Sequence, residues 1–285
     1  PDKLKKSAKE VGEGSIVVYI QISRSDPSYA FASELHYQYV VGLPNADLSK
    51  CSKLTLGKYA FYRCLNLKKV SLPKELKVIP EYAFAECSTK ILMGDGSEVS
   101  SLGVKAIDDE WYTGLETVEM GDKIEKIGRC AFYNDFNLVI DDELPQALKV
   151  IEDGAYQGCE SLKNIILPRN LETIGDNAFA GSSRIAENYM TDKKELNFDA
   201  SYAGKLQYIG MEAFNNSGIK NFVMDKNAPL TIINRRTFYG CQYLDTVVLS
   251  KTVACVDNQA LGACIRLKSV NVYDKCTFKT DSIMG

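Results

Sequence analysis

Apolar positions recur along this chain with a period close to 23 residues. In eight of nine units an aromatic residue or leucine is preceded five residues earlier by Ile, Val or Leu, and often by a further apolar residue three positions before that. Apolar residues also follow it at distances of six, nine and eleven. We name the aromatic position the anchor; the anchors are Phe61, Phe84, Trp111, Phe132, Tyr156, Phe179, Phe214, Phe238 and Leu261. A phrase written so many times indicates a structural repeat before it indicates chemistry.

The spacing within a unit predicts three short elements. The residues nine and eleven after the anchor are apolar, as Ile165 and Leu167 are, and this spacing of two places both on one face of a strand. A Pro such as Pro168 then ends that strand. The Leu-x-x-Ile stretch predicts a second short extended or turn segment. The Ala-Phe-x-x-Cys stretch spaces its apolar groups by three and predicts one turn of α- or 3₁₀-helix.

One such unit is too small to bury its own apolar face. Each coil must cover the exposed layer of the next, so the pattern predicts a solenoid of stacked coils with caps at its ends. We expect residues 1–50, which are less regular, to form a cap or a degenerate first repeat, and residues 51–285 to form the solenoid, interrupted in the middle of its last repeat.

The repeated phrase resembles the BspA-type leucine-rich repeats. The segments that carry the resemblance read AFYRCLNLKKVSLPKELKVI and AYQGCESLKNIILPRNLETIGDNAF, and it extends over about residues 50–285. The resemblance implies an α/β repeat solenoid, a right-handed leucine-rich-repeat stack with a parallel sheet on the concave side and short helical turns. It also implies secreted or cell-surface proteins that act in adhesion and bind host proteins. Binding residues are not shared across such a family, so none is carried over.

Two segments disturb the period. Residues 88–106 interrupt one unit, and residues 184–203 add about a dozen residues to another. Insertions in solenoids become loops on one face, so we expect surface loops at both places.

The net charge and the hydropathy of the chain limit the classes of partner that it could bind. The 34 basic and 37 acidic residues give a net charge of −3, so no basic field favours nucleic acid. The longest apolar runs are too short to cross a bilayer. We therefore expect a monomer whose partner is a protein or a glycan, such as a host extracellular protein, and no cofactor.

The residues that bear chemistry do not assemble into a catalytic motif. The single imidazole, His36, stands in the irregular amino-terminal segment, and no C-x-x-C pair exists for zinc. Five cysteines fall three residues after an anchor, where other units carry Asp135, Ser182 and Ser217: Cys64, Cys87, Cys159, Cys241 and Cys264. A small buried residue explains this ladder, and we expect free thiols there. Four cysteines lie outside the ladder, so one disulfide among them stays open: Cys51, Cys130, Cys255 and Cys276.

The outward residues of the predicted strands form the candidate binding site. The residue between the two inward positions is Ser71, Glu119, Ile166, Val223, Val248 or Asn271. The apolar members Ile166, Val223 and Val248, with Asn164, Asn221 and Thr246 two residues earlier on the same face, are the candidate binding residues, unless the inserted loop covers them. The sequence thus favours a non-enzymatic secreted or cell-surface binding scaffold. An intracellular scaffold and a hydrolase with its site at 184–203 are the alternatives.

Overall fold

The computed structural model describes residues 45–51, 54–65, 67–88, 90–92, 98–100, 114–182, 196–273 and 275–283. The predicted cap therefore lies outside the described residues up to position 44. Its last residues, Asn45–Asp47, form strand β1 and join the first sheet of the solenoid. The boundary at residue 50 stays a prediction.

The strands that follow the anchors pair in parallel from coil to coil, except between β6 and β8, where one sheet ends and a second begins. The first sheet has the order β1, β2 (Lys69–Ser71), β6 (Thr117–Glu119). Six more form a second sheet: β8 (Asp141–Glu143), β10 (Asn164–Ile166), β12 (Leu196–Ala200), β14 (Ile219–Met224), β16 (Thr246–Val248) and β18 (Ser269–Asn271). The predicted parallel repeat solenoid is confirmed.

The Leu-x-x-Ile stretches form a second parallel ladder of two-residue strands. Five of them pair as β3 (Val78–Ile79), β7 (Lys126–Ile127), β9 (Val150–Ile151), β11 (Thr173–Ile174) and β13 (Tyr208–Ile209). Three more pair as β15 (Ile232–Ile233), β17 (Cys255–Val256) and β19 (Thr277–Phe278). The Gly that often follows the Ile is required by close coil contact: a Cβ on Gly210 would lie 2.4 Å from the backbone nitrogen of Asp176.

The anchor rings stack along the axis of the solenoid and form its core. Neighbouring rings are nearly parallel, with centroids 5.0–5.5 Å apart, in the order Phe61, Phe84, Phe132, Tyr156, Phe179, Phe214 and Phe238. All seven are at most 3% exposed. Each ring buries a large apolar area against the rings of the neighbouring coils. This continuous column is therefore the main source of cohesion between coils.

Trp111 is not an anchor, and that assignment is wrong. Phe84 and Phe132 stack directly, with centroids 5.4 Å apart, so no ring layer fits between them. Strand β2 pairs directly with β6, and the paired residues lie 48 positions apart in the chain. The segment between them therefore forms one coil and not two. The residues between Cys87 and Gly114 are additional to that single coil, and we name them the first excursion. Those that are described include a short antiparallel hairpin of β4 (Lys90–Leu92) and β5 (Glu98–Ser100). Trp111 itself lies outside the described residues.

The anchor segment is not helical, so the predicted helical turn is wrong. In every coil the residues two before and two after the anchor have a positive φ, as Tyr59 and Arg63 do at 58° and 57°. A left-handed residue at every fourth position prevents helix continuation and produces consecutive tight turns instead. Within the described residues the anchor segments contain turns only.

These turns divide their hydrogen bonds between two coils. The N–H groups of Tyr59, Phe61 and Arg63 donate to carbonyls of the next coil, at 3.1, 2.7 and 3.0 Å. The N–H groups of Tyr62 and Cys64 donate back within their own turn, both at 3.1 Å. A helix would satisfy all of them internally. The turn therefore links neighbouring coils through the backbone as well as through the rings.

The second insertion ends in a strand and not in a loop. Within residues 184–203, positions 196–200 form β12, which lies between β10 and β14. Phe198 occupies the inward position, paired with Ile165 and Phe222, and is 5% exposed. The added residues therefore precede the strand, in a stretch that lies outside the described residues from 183 to 195.

Candidate functional site

The outer face of the six-stranded sheet carries the predicted binding residues. Along β10 the middle residue Ile165 is fully buried, whereas Asn164 and Ile166 are half-buried on the other side. The same alternation holds in β14, where Phe222 is buried and Asn221 and Val223 are exposed. The predicted outward orientation of the six candidate residues therefore holds, and they form two rows across the strands.

The first row, which we name the amide–hydroxyl row, is polar throughout. In strand order its members are Asn164, Asn197, Asn221, Thr246 and Ser269. Parallel register pairs Asn164 with Asn197, and pairs Thr246 with both Asn221 and Ser269, whereas a register shift between Leu196 and Phe198 leaves no direct pair between Asn197 and Asn221. The side-chain amide of Asn197 donates to Oδ1 of Asn164 at 2.7 Å, and the Ser269 hydroxyl donates to Thr246 Oγ1 at 3.3 Å. Within each of these pairs the neutral donors and acceptors stand about 5 Å apart.

The second row, which we name the mixed row, contains three apolar, two acidic and one amide side chain. Its members are Glu143, Ile166, Asp199, Val223, Val248 and Asn271. Val223 is 37% exposed, and Ile166 and Val248 are half-buried. Asp199 separates Ile166 from Val223, so the apolar residues do not form one continuous stripe.

Sequence reasoning missed Asn197 and Asp199. Both belong to β12, whose position relative to its anchor Phe179 is displaced by the inserted residues. The alternation Leu-Asn-Phe-Asp-Ala was the available signal, since it places Leu196, Phe198 and Ala200 on one face and two polar residues on the other.

The three-stranded sheet presents a charged outer face instead. The Ser71 hydroxyl donates a hydrogen bond to Glu119 Oε2 at 2.5 Å. Lys69 forms an ion pair with the same carboxylate, with its Nζ 2.5 Å from Oε1. The hydrogen bond from Lys69 lowers the pKa of Glu119. Ser71 and Glu119 therefore pair with each other and add no apolar surface, so the exposed apolar residues of the outward row are confined to β10, β14 and β16.

The thiol ladder is part of the core. Each of four ladder thiols donates to the carbonyl oxygen of the anchor in the preceding coil, at 3.0 Å: Cys87 to Phe61, Cys159 to Phe132, Cys241 to Phe214 and Cys264 to Phe238. Burial raises the pKa of the Cys64 and Cys264 thiols to about 12 and that of Cys87 and Cys159 well above its usual value. A buried protonated thiol is neither a nucleophile nor a metal ligand. All nine cysteines are free, including Cys51, Cys130, Cys255 and Cys276.

One ladder position carries a carboxyl group. Asp135 is fully buried, and its Oδ1 accepts the backbone N–H of Cys87 at 2.8 Å. Its Oδ2 has no partner among the described residues. Burial raises the pKa of this carboxyl well above its ordinary value, so it is held in the neutral form. Asp135 replaces a cysteine or serine and satisfies a backbone N–H at the point where the first excursion leaves its coil.

The described part of the chain contains no cluster of side chains that could bind a metal cofactor. Among those residues no group of three His, Cys, Asp or Glu side chains is placed to hold a metal ion. His36 and residues 183–195 lie outside the described residues. No helix in the described ranges is long and apolar enough to cross a membrane.

Comparison with known proteins gives matches at the level of sequence family and solved structures. A bacterial leucine-rich repeat protein from Bacteroides ovatus is 22% identical, with 81% of this chain and 63% of that one covered and a TM-score of 0.40. A leucine-rich cell surface protein from Faecalibacterium prausnitzii is 17% identical over 76% of each chain, with a TM-score of 0.41. The leucine-rich repeat protein of T. pallidum is 18% identical, with 79% of this chain and 78% of that one covered and a TM-score of 0.42. No curated protein sequence matches.

The family comparison agrees with the coil pattern. The model for the BspA type leucine rich repeat region matches residues 37–108, 54–138, 98–203 and 185–283, in six copies. Those matches cover most of the chain and contain every anchor ring of the core. With its 23-residue period, parallel strand ladders and stacked anchors, this chain belongs to the BspA-type leucine-rich repeat family.

Proposed function

We propose that the protein is a non-enzymatic binding scaffold of the cell surface or the secreted fraction, and that it holds a protein partner on the outer face of the six-stranded sheet. The observation that carries the proposal is the composition of that face. Exposed Val223, with Ile166 and Val248, stands beside a row of neutral amide and hydroxyl groups. An apolar centre with a polar surround is the composition of protein–protein interfaces.

The architecture supports a binding role over an enzymatic one. The buried chemistry-bearing groups, the ladder thiols and Asp135, are neutral and directed into the core. The face itself presents side chains fixed by a rigid strand ladder, which reduces the entropy lost when a partner is bound. A similar solved protein is described as a leucine-rich cell surface protein, and this supports the proposed location.

The test replaces the two outward valines of the face by lysine. Val223→Lys with Val248→Lys should weaken binding to a purified partner at least about tenfold, because two charges would have to be desolvated at the centre of the interface. The partner is chosen by biolayer interferometry from a panel of purified extracellular proteins. The matched control is Asn45→Lys with Thr117→Lys, which adds the same charge to the outer face of the three-stranded sheet.

The unfolding free energy of the double variant is measured in parallel and should change by no more than about 0.5 kcal/mol per site, since exposed positions rarely cost more. Retained binding by a stable double variant would remove the site from this face. A large loss of stability would show that the valines are covered, which also contradicts the proposal.

A further inference from the structure

A groove lies beside the outer face, at the amino-terminal ends of β14, β16 and β18. It has a volume of about 580 Å³, within the range of ligand sites. Its lining includes Lys220, Arg266 and Lys268, together with Asp245, Tyr243 and Ile265. Arg266 and Lys268 thus face a single carboxylate, Asp245, in the lining of the groove. The single carboxylate is engaged, because Lys268 Nζ lies 3.1 Å from Asp245 Oδ2.

Arg266 is the pre-positioned cation of the groove. Its guanidinium carbon lies 4.8 Å from the centre of the Tyr243 ring. Stacking on an aromatic ring fixes the plane of a guanidinium and leaves its N–H edge available for two parallel hydrogen bonds to a carboxylate. Among the described residues Arg266 has no carboxylate partner.

Two other arginines show what this arrangement normally contains. Arg236 stacks on Tyr239 at 5.1 Å, and its guanidinium also lies 3.6 Å from Glu212. Arg63 stands over Tyr62 at 5.9 Å and lies 3.3 Å from Glu86. In both cases a glutamate of the neighbouring coil neutralises an arginine that a tyrosine positions. Arg266 also stacks on a tyrosine, Tyr243, but its guanidinium lines the groove and has no glutamate partner among the described residues.

The apolar part of the groove is Ile265, which is 79% exposed, the highest value for a large apolar residue in the described ranges. Packing does not require these residue types. Five positions after the anchor, where Tyr243 and Arg266 stand, earlier coils carry Asn137 and Ser161. Ile265 thus exposes its apolar side chain to water directly beside the guanidinium that Tyr243 positions.

We propose that this groove binds an acidic peptide segment of the protein partner, with a glutamate or aspartate carboxylate on Arg266 and an adjacent apolar side chain on Ile265. Arginine sites that recognise acidic motifs combine a fixed guanidinium with a neighbouring pocket in the same way. The groove borders the amide–hydroxyl row, because Asn221, Thr246 and Ser269 directly follow Lys220, Asp245 and Lys268 in the chain. The inference rests on the proposed function, and it names the chemistry of one segment of the partner.

Isothermal titration calorimetry of the full chain tests the site with two capped pentapeptides, Gly-Glu-Leu-Glu-Gly and its matched Gly-Gln-Leu-Gln-Gly. The glutamate peptide should bind at least about tenfold more tightly, the value of one charge-assisted hydrogen bond. Arg266→Gln should remove that preference, whereas Arg236→Gln, a stacked arginine outside the groove, should keep it. Binding should also weaken in about 1 M salt, where the Debye length is about 3 Å.

Equal binding of the two peptides, or an equal loss in the two arginine variants, would overturn the site. So would binding of a sulfated disaccharide that depends on Arg266 while the glutamate peptide fails, because the groove would then be a carbohydrate site. The Val223→Lys, Val248→Lys variant should still bind the peptide. If the wild-type chain binds a partner on the outer face but no glutamate peptide, the groove inference fails alone; if the valine variant keeps its partner, the proposed function fails instead.

Discussion

The first excursion, between Cys87 and Gly114, and the second, between Ser182 and Leu196, interrupt the repeat after the same position, yet the sheet continues differently after them. Each follows a ladder residue, Cys87 or Ser182, and precedes a sheet strand, β6 or β12. Around the second excursion both ends meet on one residue: Gly218 donates to the carbonyl of Ser182 at 2.9 Å and accepts from the N–H of Leu196 at 3.0 Å. The ends of the first are also in contact, since a Cβ on Gly114 would lie 2.5 Å from the carbonyl oxygen of Cys87.

The strands that follow account for the difference. After the second excursion β12 has five residues and pairs on both sides, so the sheet continues. After the first, β6 pairs with β2 alone, and the next strand, β8, begins the second sheet. Buried polar atoms without a partner among the described residues occur near both departures: Ser88 Oγ and Asp135 Oδ2 at the first, and Asn215 Oδ1 at the second. A coil tolerates an excursion at this point because its ends stay closed.

The anchors of the two interrupted coils should be equally important. Phe84→Ala and Phe179→Ala each empty a fully buried ring layer, and each should lower the free energy of unfolding by about 3–5 kcal/mol. Chemical denaturation measures both. A cost under about 1 kcal/mol at either position would mean that the ring column does not run through that coil, and would break the equivalence of the two excursions.

A glycine beside each excursion, Gly114 at the first and Gly181 at the second, should distinguish the two. Gly114→Ala adds a methyl group 2.5 Å from a backbone oxygen at a φ of +78°, and should cost about 2–4 kcal/mol. Gly181→Ala, at a φ of +66° and with its nearest neighbour atoms 4.0 Å away, should cost only the backbone strain of about 1–2 kcal/mol. Thermal and denaturant unfolding of the two variants compare them directly. Equal costs would show that the first excursion is not closed as tightly as the contact implies.

The buried carboxyl should make the region of the first excursion sensitive to pH. The pKa of Asp135 is raised in the folded protein, so its protonated form is stabilising below the unfolded value of about 4, and that stability is lost as pH rises toward the folded pKa. Asp135→Asn keeps the acceptor for Cys87 and cannot ionise. Above pH 4 the variant should become more stable than the wild type, with a difference that grows by up to about 1.4 kcal/mol per pH unit.

The control for this titration is Asp122→Asn, an exposed aspartate in a turn. The groups packed around Asp135 that bear on the result are Glu86, Cys64, Cys87 and Cys159, and unfolding of each variant is followed from pH 4 to 9. A constant difference between wild type and Asp135→Asn across that range would show that the carboxyl is not held neutral, and the two excursions would then be electrostatically alike.

The period predicts most of the fold, since burying one apolar face fixes which residues point inward. Ile165, Phe179 and Leu167 are fully buried where the spacing places them. The error at Trp111 has a definite cause. Phe84 to Phe132 is 48 residues, close to two periods, so one coil with a long excursion fits the pattern of two short coils. Periodicity alone does not separate these cases, whereas the ring distance of 5.4 Å does.

The turns and the outer face were harder to predict. An apolar spacing of three fits a helical turn and a pair of tight turns equally, and the left-handed positions carry Tyr, Arg and Glu as well as Gly. No residue type marks them. On the outer face Ile166, Val223 and Val248 were placed correctly, but the neighbours between them depend on where the displaced strand β12 rejoins the sheet. The groove at Arg266 lies on positions that the repeat leaves free, so the period contains no information about it.

The hydrogen bonds of the thiol ladder have a consequence for biogenesis. Four of the five ladder cysteines donate as neutral thiols to the anchor carbonyl of the preceding coil, and serine fills the same position in two coils, at Ser182 and Ser217. Cohesion between coils therefore requires no sulfur–sulfur bond. A chain of this design therefore reaches its native state without an oxidase or a disulfide isomerase.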